Sequence, residues 1–177
     1  MGSVRADHSH TVTWEKVSTP EEAFDAIKSM KIRGAPAIAS LAALSLRSHL
    51  SSSAAPAFSS PSQVSEHVLP ILDYLQSSRP TAVNLGEAMD RIRALLKEES
   101  AGAGEAEAKE LVEKVKNLCT AVHGDDLERC KTMGRLGAEW LWKKRGAGKK
   151  GLKLVTVCNT GSLATSVSVR SIEEGWS

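Results

Sequence analysis

The segment Leu152-Lys153-Leu154-Val155-Thr156-Val157 constrains the fold most, because it is apolar on both faces and rich in β-branched residues. Such a segment is typical of a strand buried in a parallel sheet. It is the one segment of this type that the sequence offers, and 20 residues follow it, the last of which is Ser177. Since a parallel sheet needs several strands joined by crossover connections, we expect the chain to stop inside a domain.

The residues before this strand have the spacing of helices. A capping box, Thr19-Pro20-Glu21-Glu22, predicts a first helix over about 20–31. Pro36 opens a second helix that is apolar almost all round and should therefore be buried. Helical periodicity resumes near Val64, after Pro80 and over about 105–121. Aromatic residues make up only 4% of the chain, which favours close packing of helices.

Three segments interrupt this helical pattern. Residues 1–14 are predicted to be disordered or an altered N-terminus, and the serine-rich stretch 48–63 is predicted to be a disordered low-complexity insertion. His123-Gly124-Asp125 is predicted to turn the chain before a last helix. The predicted organisation is therefore a helical N-terminal domain over 15–148 and the beginning of a second domain over 149–177.

Composition and charge exclude several classes of function. The formal net charge is +2, and no basic stripe is long enough for a nucleic-acid surface. The N-terminus lacks an apolar signal segment and no stretch is long enough to span a membrane, so we expect a cytoplasmic location, with the nucleus left open. The three cysteines match no zinc motif, and the five histidines are interpreted as polar surface, so no metal site is predicted.

Two arginines stand just outside predicted helix starts, where free backbone N–H groups and the helix dipole attract anions. Arg33 precedes Gly34-Ala35-Pro36, in which glycine allows close approach of the backbone to a phosphate and proline fixes the entry of the helix. Arg79 precedes Pro80 in the same way. An ordinary helix–helix turn and a solvated helix start are the alternatives at these two places.

Cys158 follows the predicted strand directly and is succeeded by Asn159-Thr160-Gly161. The carboxyl end of a parallel strand is where open α/β sheets present ligand-binding groups, and N–H groups of the next turn would lower the pKa of a thiol there. A buried, inert cysteine is the alternative. Cys119 lies on an apolar helix face and is assigned to the core.

Three stretches together carry a resemblance to a known family. Residues 30–39 read MKIRGAPAIA, residues 79–85 read RPTAVNL, and residues 158–165 read CNTGSLAT. In order and spacing they resemble the methylthioribose-1-phosphate isomerases of methionine salvage. The resemblance covers roughly residues 17–165.

The resemblance implies an α/β protein in which a helical N-terminal domain packs on a Rossmann-like domain, so that this chain holds the helical domain and the first strand of a truncated Rossmann-like parallel sheet. It implies isomerisation of 5-methylthioribose 1-phosphate to 5-methylthioribulose 1-phosphate without a cofactor. By the resemblance, Arg33, Gly34, Ala35 and Arg79 bind the sugar phosphate, and Cys158 is catalytic. A homodimer is implied for the full-length family.

The sequence also departs from the family pattern. By the resemblance, the catalytic aspartate and most of the α/β domain lie beyond Ser177, so we expect the chain to be inactive alone. Two alternatives follow: a non-catalytic regulatory subunit of the translation-initiation factor 2B type, or a helical remnant that pairs with full-length protomers. The presence of both the Arg33-Gly34-Ala35-Pro36 loop and the Cys158-Asn159-Thr160-Gly161 turn favours the isomerase.

Overall fold

The computed structural model describes residues 2–8, 11–53, 55–99 and 102–146, with side chains from Glu15 onward. Two strands and five helices follow one another along this part of the chain. Their bounds are β1 Gly2–His8, β2 Thr11–Val17, α1 Pro20–Lys28, α2 Ala35–Leu50, α3 Pro61–Ser77, α4 Val83–Glu98 and α5 Glu105–Leu141. A π-helical turn, Trp142–Gly146, continues α5.

Helix α1 begins with the predicted capping box. The Glu22 N–H donates to Thr19 Oγ1 at 3.2 Å, and the Thr19 N–H donates to Glu22 Oε2 at 3.2 Å. Two of the helix's otherwise unpaired N–H groups are thereby satisfied. The buried face of α1, which includes Ala23 and Ile27, packs against α2, and the Phe24 ring stacks on Tyr74 of α3 with ring centres 4.3 Å apart.

Helix α2 lies at the centre of the described part, as its sequence predicts. It contacts α1, α4 and α5, so side chains on most of its surface are removed from water. Two serines of α2 are buried. The hydroxyl of Ser45 is satisfied by a hydrogen bond that it donates to the Ala42 carbonyl at 2.8 Å. The buried residues of α2 are Ile38, Ala39, Ser40, Leu41, Ala42, Ala43, Ser45, Leu46 and Leu50.

Helices α3, α4 and α5 complete the core around α2. α3 contacts α1, α4 and α5, and α4 contacts α5. Their fully buried large side chains are Val64, Val68, Leu72, Leu75, Leu85, Met89, Ile92, Leu96 and Leu111. At roughly 1.5–3 kcal/mol for each such side chain, this burial is the main favourable term in folding the helical domain.

The expected disorder of residues 1–14 was wrong. β1 and β2 pair antiparallel, with Gly2 opposite Val17 and His8 opposite Thr11. Thr11-Val12-Thr13-Trp14 is a run of β-branched and aromatic residues, which favours a strand, and the polar residues 9–10 separate the two strands. Val17, at the end of β2, is buried in the helical core and so anchors the hairpin.

The expected disordered insertion over 48–63 was also wrong. α2 runs on to Leu50 and α3 begins at Pro61, so only 51–60 form the connection. Ser60 caps α3 by accepting from the Gln63 N–H, and Ser59 donates to the Gln63 side chain at 2.9 Å. Phe58 packs against the core. The serines at this junction thus cap helices.

Helix α5 passes straight through the predicted turn at 123–125 and is 37 residues long. Glycine inside a helix costs only about 1 kcal/mol, and the burial of Val122 and the ion pair of Asp125 with Arg91 on either side of Gly124 help to offset that cost. Asp125, in the middle of the helix, accepts from Arg91 of α4 at 3.3 Å and from Arg129 through its backbone carbonyl. At 1.5 Å per residue, α5 measures about 55 Å.

The predicted mostly helical character is confirmed from Pro20 onward, whereas residues 2–8 and 11–17 form two strands. The predicted strand 152–157 and the rest of 147–177 lie outside the described residues, so the boundary at 148 and the Rossmann-like sheet stay predictions.

The continuity of α5 makes the effect of Gly124→Ala predictable. A Cβ at Gly124 would meet nothing within 4 Å, and the residue is helical. Alanine should therefore stabilise the protein by about 0.5–1 kcal/mol, because it loses less backbone freedom on folding. Urea unfolding followed by circular dichroism at 222 nm measures the change. Loss of stability would indicate a glycine-dependent turn at 123–125.

Candidate anion-binding site

The loop between α1 and α2 is shaped by Met30, which has a φ of 60°. A left-handed conformation costs a non-glycine residue roughly 1–2 kcal/mol, so the surrounding contacts must hold it. The Met30 N–H donates to the Ile27 carbonyl at 3.1 Å, and the Ile32 N–H donates to the Ala26 carbonyl at 3.3 Å. The loop is further tied to β2 by an ion pair of 2.7 Å between Lys31 Nζ and Glu15 Oε2.

Arg33 ends this loop with an exposed side chain. Its Nε donates to the Met30 carbonyl at 3.2 Å, which holds the guanidinium near the start of α2. Gly34, which is buried, is the residue before the helix, and no side chain caps α2 there. Pro36 has no N–H, so Ala35 and Ala37 provide the first-turn N–H groups. Together with the helix dipole and Arg33, these groups favour an anion.

Arg79 lies in the connection between α3 and α4. Its Nη1 is buried and has no hydrogen-bond partner among the described residues. Its backbone is well tied, because the Arg79 N–H donates to the Gln76 carbonyl at 3.3 Å and the Arg79 carbonyl accepts from Ala82 at 3.0 Å. Helix α4, which starts at Val83, has no side-chain cap. A buried, unpaired guanidinium nitrogen is costly, which makes Arg79 a candidate for contact with an anion.

The structure thus brings Arg33, Gly34 and Ala35 together in one loop, at the N-terminus of α2. Arg79 belongs to a different loop, at the start of a helix that packs against α2. Within the described residues, no hydrogen bond connects the two arginines. Cys158, the predicted catalytic residue, lies outside the described residues.

A cleft at the junction of α4 and α5 has the opposite charge. It is lined by Glu98, Glu99, Gly102, Glu107 and Glu110. The Lys114 ammonium donates to Glu99 at 2.8 Å and lies 3.0 Å from Glu110 Oε1, and these two hydrogen bonds raise the pKa of Lys114. Because four carboxylates surround this cleft, it repels phosphate and is not a candidate for the predicted site.

The interpretation of the five histidines as polar surface was wrong for His49 and His67, which are half-buried and contact each other. Their Nε2 atoms are 2.9 Å apart, between α2 and α3. The ring centres are 5.2 Å apart, a longer distance than that between the two Nε2 atoms, and the ring planes differ by only 13°. The rings therefore lie side by side and touch through their edges. One neutral ring must donate to the other. A separation of 18 residues matches no local pattern, so this pair could not be predicted from sequence spacing.

The described cysteines differ in their surroundings. Cys119 is buried in the core, and this burial raises its thiol pKa to about 12. Cys130 is half-buried, and its Sγ lies 3.8 Å from Asp126 Oδ1. The assignment of Cys119 to the core is confirmed. Over the described ranges, no group of three or more His, Cys, Asp or Glu side chains could hold a metal ion.

Comparison with known proteins connects this geometry to a family. The sequence profile of the "Initiation factor 2 subunit family" matches residues 31–175. That range includes the end of the loop between α1 and α2, the connection between α3 and α4 that contains Arg79, and Cys158.

In the described part of the chain, no helix combines the length and apolar character required to cross a membrane.

Two curated relatives bear the name methylthioribose-1-phosphate isomerase. The protein of that name from Cryptococcus neoformans var. neoformans serotype D is 63% identical over 180 residues, which cover 94% of this chain and 45% of that protein. The one from Postia placenta is 48% identical over 165 residues, covering 89% of this chain and 42% of the relative. The chain thus spans somewhat less than half the length of these relatives.

Two solved structures share the fold. The 5-methylthioribose 1-phosphate isomerase of Pyrococcus horikoshii OT3 superposes with a TM-score of 0.74 at 27% identity, covering 97% of this chain and 48% of that one. The translation initiation factor eIF-2B, subunit delta, of A. fulgidus gives 0.63 at 30% identity, with coverages of 93% and 46%. The fold is therefore common to an enzyme and an initiation-factor subunit.

The histidine pair predicts an acid-sensitive stability. Burial, and then the neighbouring His49, lower the pKa of His67 below its usual 6.5. The unfolded chain therefore binds a proton at His67 more readily than the folded protein does. The contribution of neutral His67 to the free energy of unfolding is fully present above pH 6.5 and is lost as pH falls through the lowered pKa. We expect the urea midpoint to fall between pH 7.5 and 5, and to fall less in His67→Gln, which retains hydrogen-bonding capacity. An equal fall in both proteins would contradict this account.

The cysteines predict selective alkylation. At pH 7.5, Cys119 should react with a maleimide only after unfolding, because its thiol is buried and its pKa is about 12. Cys130 should react in the folded protein. Peptide mass spectrometry after timed labelling reports each site separately. Labelling of folded Cys119 at the rate of Cys130 would show that the α5 core opens readily.

Proposed function

Because the chain belongs to the initiation factor 2 subunit family, we propose that it forms the phosphate-binding half of a methylthioribose-1-phosphate isomerase. The identity of the substrate is carried over from the names of its relatives. The observation that carries the anion site is the buried Arg79 Nη1 without a partner. A phosphate oxygen is an acceptor that satisfies such a donor and neutralises its charge.

The loop between α1 and α2 would supply the remainder of the phosphate site. Arg33 is exposed and anchored through Nε, so its terminal nitrogens can contact phosphate oxygens. Gly34 has no Cβ to keep the phosphate from the backbone, and the Ala35 N–H belongs to the uncapped first turn of α2. A dianion is favoured at such a helix end by the dipole and by direct hydrogen bonds.

The reaction would convert an open-chain aldose phosphate ester into the 1-phosphorylated ketose. By the resemblance, Cys158 acts at the C1/C2 centre and an aspartate beyond Ser177 donates a proton, through an enediolate-type intermediate or a hydride shift. Binding of the phosphate group would hold the reacting carbons of the substrate in place. We assign turnover to the complete protein, with residues 149–177 beginning a Rossmann-like domain and two copies forming a dimer in the cytoplasm or nucleus.

The second candidate function is that of a non-catalytic subunit, favoured by the fold shared with the eIF-2B delta structure. The isomerase is the better supported of the two, since the curated relative at 63% identity carries that name. Such a subunit would need no phosphate ester, so a direct assay of substrate binding separates the two functions.

In the complete protein, Arg33→Ala and Arg79→Ala should each raise KM for 5-methylthioribose 1-phosphate about tenfold or more. The reason is that a charged hydrogen bond contributes roughly 1.5–3 kcal/mol. kcat should change less, since the phosphate is held alike in the ground and transition states. Initial-rate kinetics measure both constants.

Arg91→Ala is the matched control for this experiment. Arg91 pairs with Asp125 at 3.3 Å and lies 3.9 Å from Glu87, on the side of α4 that faces α5, so its removal should leave KM unchanged. If kcat fell at constant KM in the Arg33 variant, that arginine would act at the reacting carbons. Unchanged kinetics in both arginine variants would exclude the phosphate site.

A further inference from the structure

The loop between α1 and α2, residues 29–34, is connected to strand β2 by an ion pair. Lys31 Nζ lies 2.7 Å from Glu15 Oε2, and the two side chains are 45% and 41% exposed. The same loop contains Arg33 and Gly34 of the proposed phosphate site. The ion pair therefore joins that site to a different element of the fold.

The end of β2, which carries Glu15, has a fixed position. Val17 is 4% exposed and belongs to the helical core. Directly after it, the Ser18 N–H donates to Glu22 Oε2 at 2.6 Å, which ties the end of β2 to the first turn of α1. Because side chains two residues apart on a strand lie on the same face, Glu15 lies on the face of β2 that turns toward the helices. Its carboxylate therefore meets Lys31 from an anchored backbone.

Inside the loop, Met30 determines where the Arg33 guanidinium is held. The Met30 carbonyl accepts from Arg33 Nε at 3.2 Å. The direction of this carbonyl depends on the left-handed conformation of Met30, whose φ is 60°. The Met30 side chain is 54% exposed, so its own packing does little to offset the cost of this conformation. Contacts of the neighbouring residues must therefore stabilise it.

Lys31 is the neighbour that is best placed to do so. The Met30 carbonyl and the Lys31 nitrogen belong to one peptide group, which is planar and rigid. On the other side of Lys31, the Ile32 N–H donates to the Ala26 carbonyl of α1 at 3.3 Å, and the Ile32 side chain packs against the core. A restraint on Lys31 from β2 thus limits the directions available to the carbonyl that anchors the guanidinium.

We propose that Glu15 is a positioning residue for the phosphate site: through its ion pair with Lys31 it restricts the loop that holds Arg33. This inference rests on the proposed function, which gives the loop a phosphate to bind. Glu15 acts through Lys31, without touching the phosphate itself. Exposed ion pairs change an equilibrium by only about one and a half- to fivefold, so we expect an effect of that size on substrate binding.

In the complete protein, Glu15→Gln should raise KM for 5-methylthioribose 1-phosphate about two- to fivefold and leave kcat nearly unchanged. The direction of the change is informative. Removal of a negative charge close to an anion site should by itself strengthen anion binding and lower KM, so a rise in KM reports the lost restraint. A fall in KM, or an unchanged KM, would overturn the proposal.

A double-mutant cycle tests whether Glu15 acts through Lys31. Lys31→Met removes the charge and keeps an unbranched side chain, so Glu15→Gln should have no further effect on KM in that background. An equal rise in KM in both backgrounds would show that Glu15 acts by another route, which overturns the proposal.

Glu99→Gln is the matched control. Glu99 accepts from Lys114 at 2.8 Å and is 39% exposed, much like Glu15, but this pair lies at the junction of α4 and α5. The control removes the same charge by the same substitution and should leave KM unchanged. A rise in KM as large as that in Glu15→Gln would indicate a general effect of charge and contradict the positioning role.

Hydrogen exchange separates this inference from the proposed function, because it needs no substrate. In the complete protein, amides of 29–34, resolved by peptide, should exchange about two- to fivefold faster in Glu15→Gln and at an unchanged rate in Glu99→Gln. Unchanged exchange in Glu15→Gln would overturn the positioning role, even with a correct phosphate site. Faster exchange in Glu15→Gln, together with unaltered kinetics in Arg33→Ala, would support the restraint on the loop and contradict the proposed function.

Discussion

The burial of α2 is the constraint on which the rest of the structure depends. α2 is apolar almost all round and can be stable only inside a shell of other helices, which α1, α4 and α5 provide. Since protein interiors pack at crystal-like density, the small residues Ala42 and Ala43 allow neighbouring helices to approach closely. The orientation of α2 is thereby fixed from several sides, and its two ends have fixed positions.

The N-terminal end of α2 gains its chemistry from this fixed position. A helix surrounded by protein can expose its backbone N–H groups only at its start, and there the chain supplies Arg33 and a glycine instead of a capping side chain. Arg79 repeats the arrangement before α4, with one guanidinium nitrogen buried and unpaired. Guanidinium and helix-start N–H groups that have no partner within the protein favour binding of an anion. The packing of α2 against α4 holds these groups in place.

Local patterns predicted the helical elements well and the non-local contacts poorly. The capping box of Thr19 and the all-apolar face of α2 depend on neighbours in sequence, so they could be predicted. His49 of α2 and His67 of α3 meet only through the tertiary structure, and no sequence spacing encodes that contact. The turn expected at Gly124 was wrong because tertiary contacts of the neighbouring residues, such as the burial of Val122 and the Arg91–Asp125 ion pair, outweigh the cost of one glycine. Helix-start patterns singled out Arg33 and Arg79 as candidates, but the burial of Arg79 Nη1 could be seen only in the structure.

The position of a bound phosphate ester tests the central claim most directly. A crystal structure of the complete protein with 5-methylthioribose 1-phosphate, or with tungstate located by its anomalous scattering, would show that position. We expect the anion at the start of α2, with its oxygens within hydrogen-bond distance of the Arg33 or Arg79 guanidinium and the Ala35 N–H. A phosphate group bound elsewhere, with both arginines turned away from it, would contradict the claim.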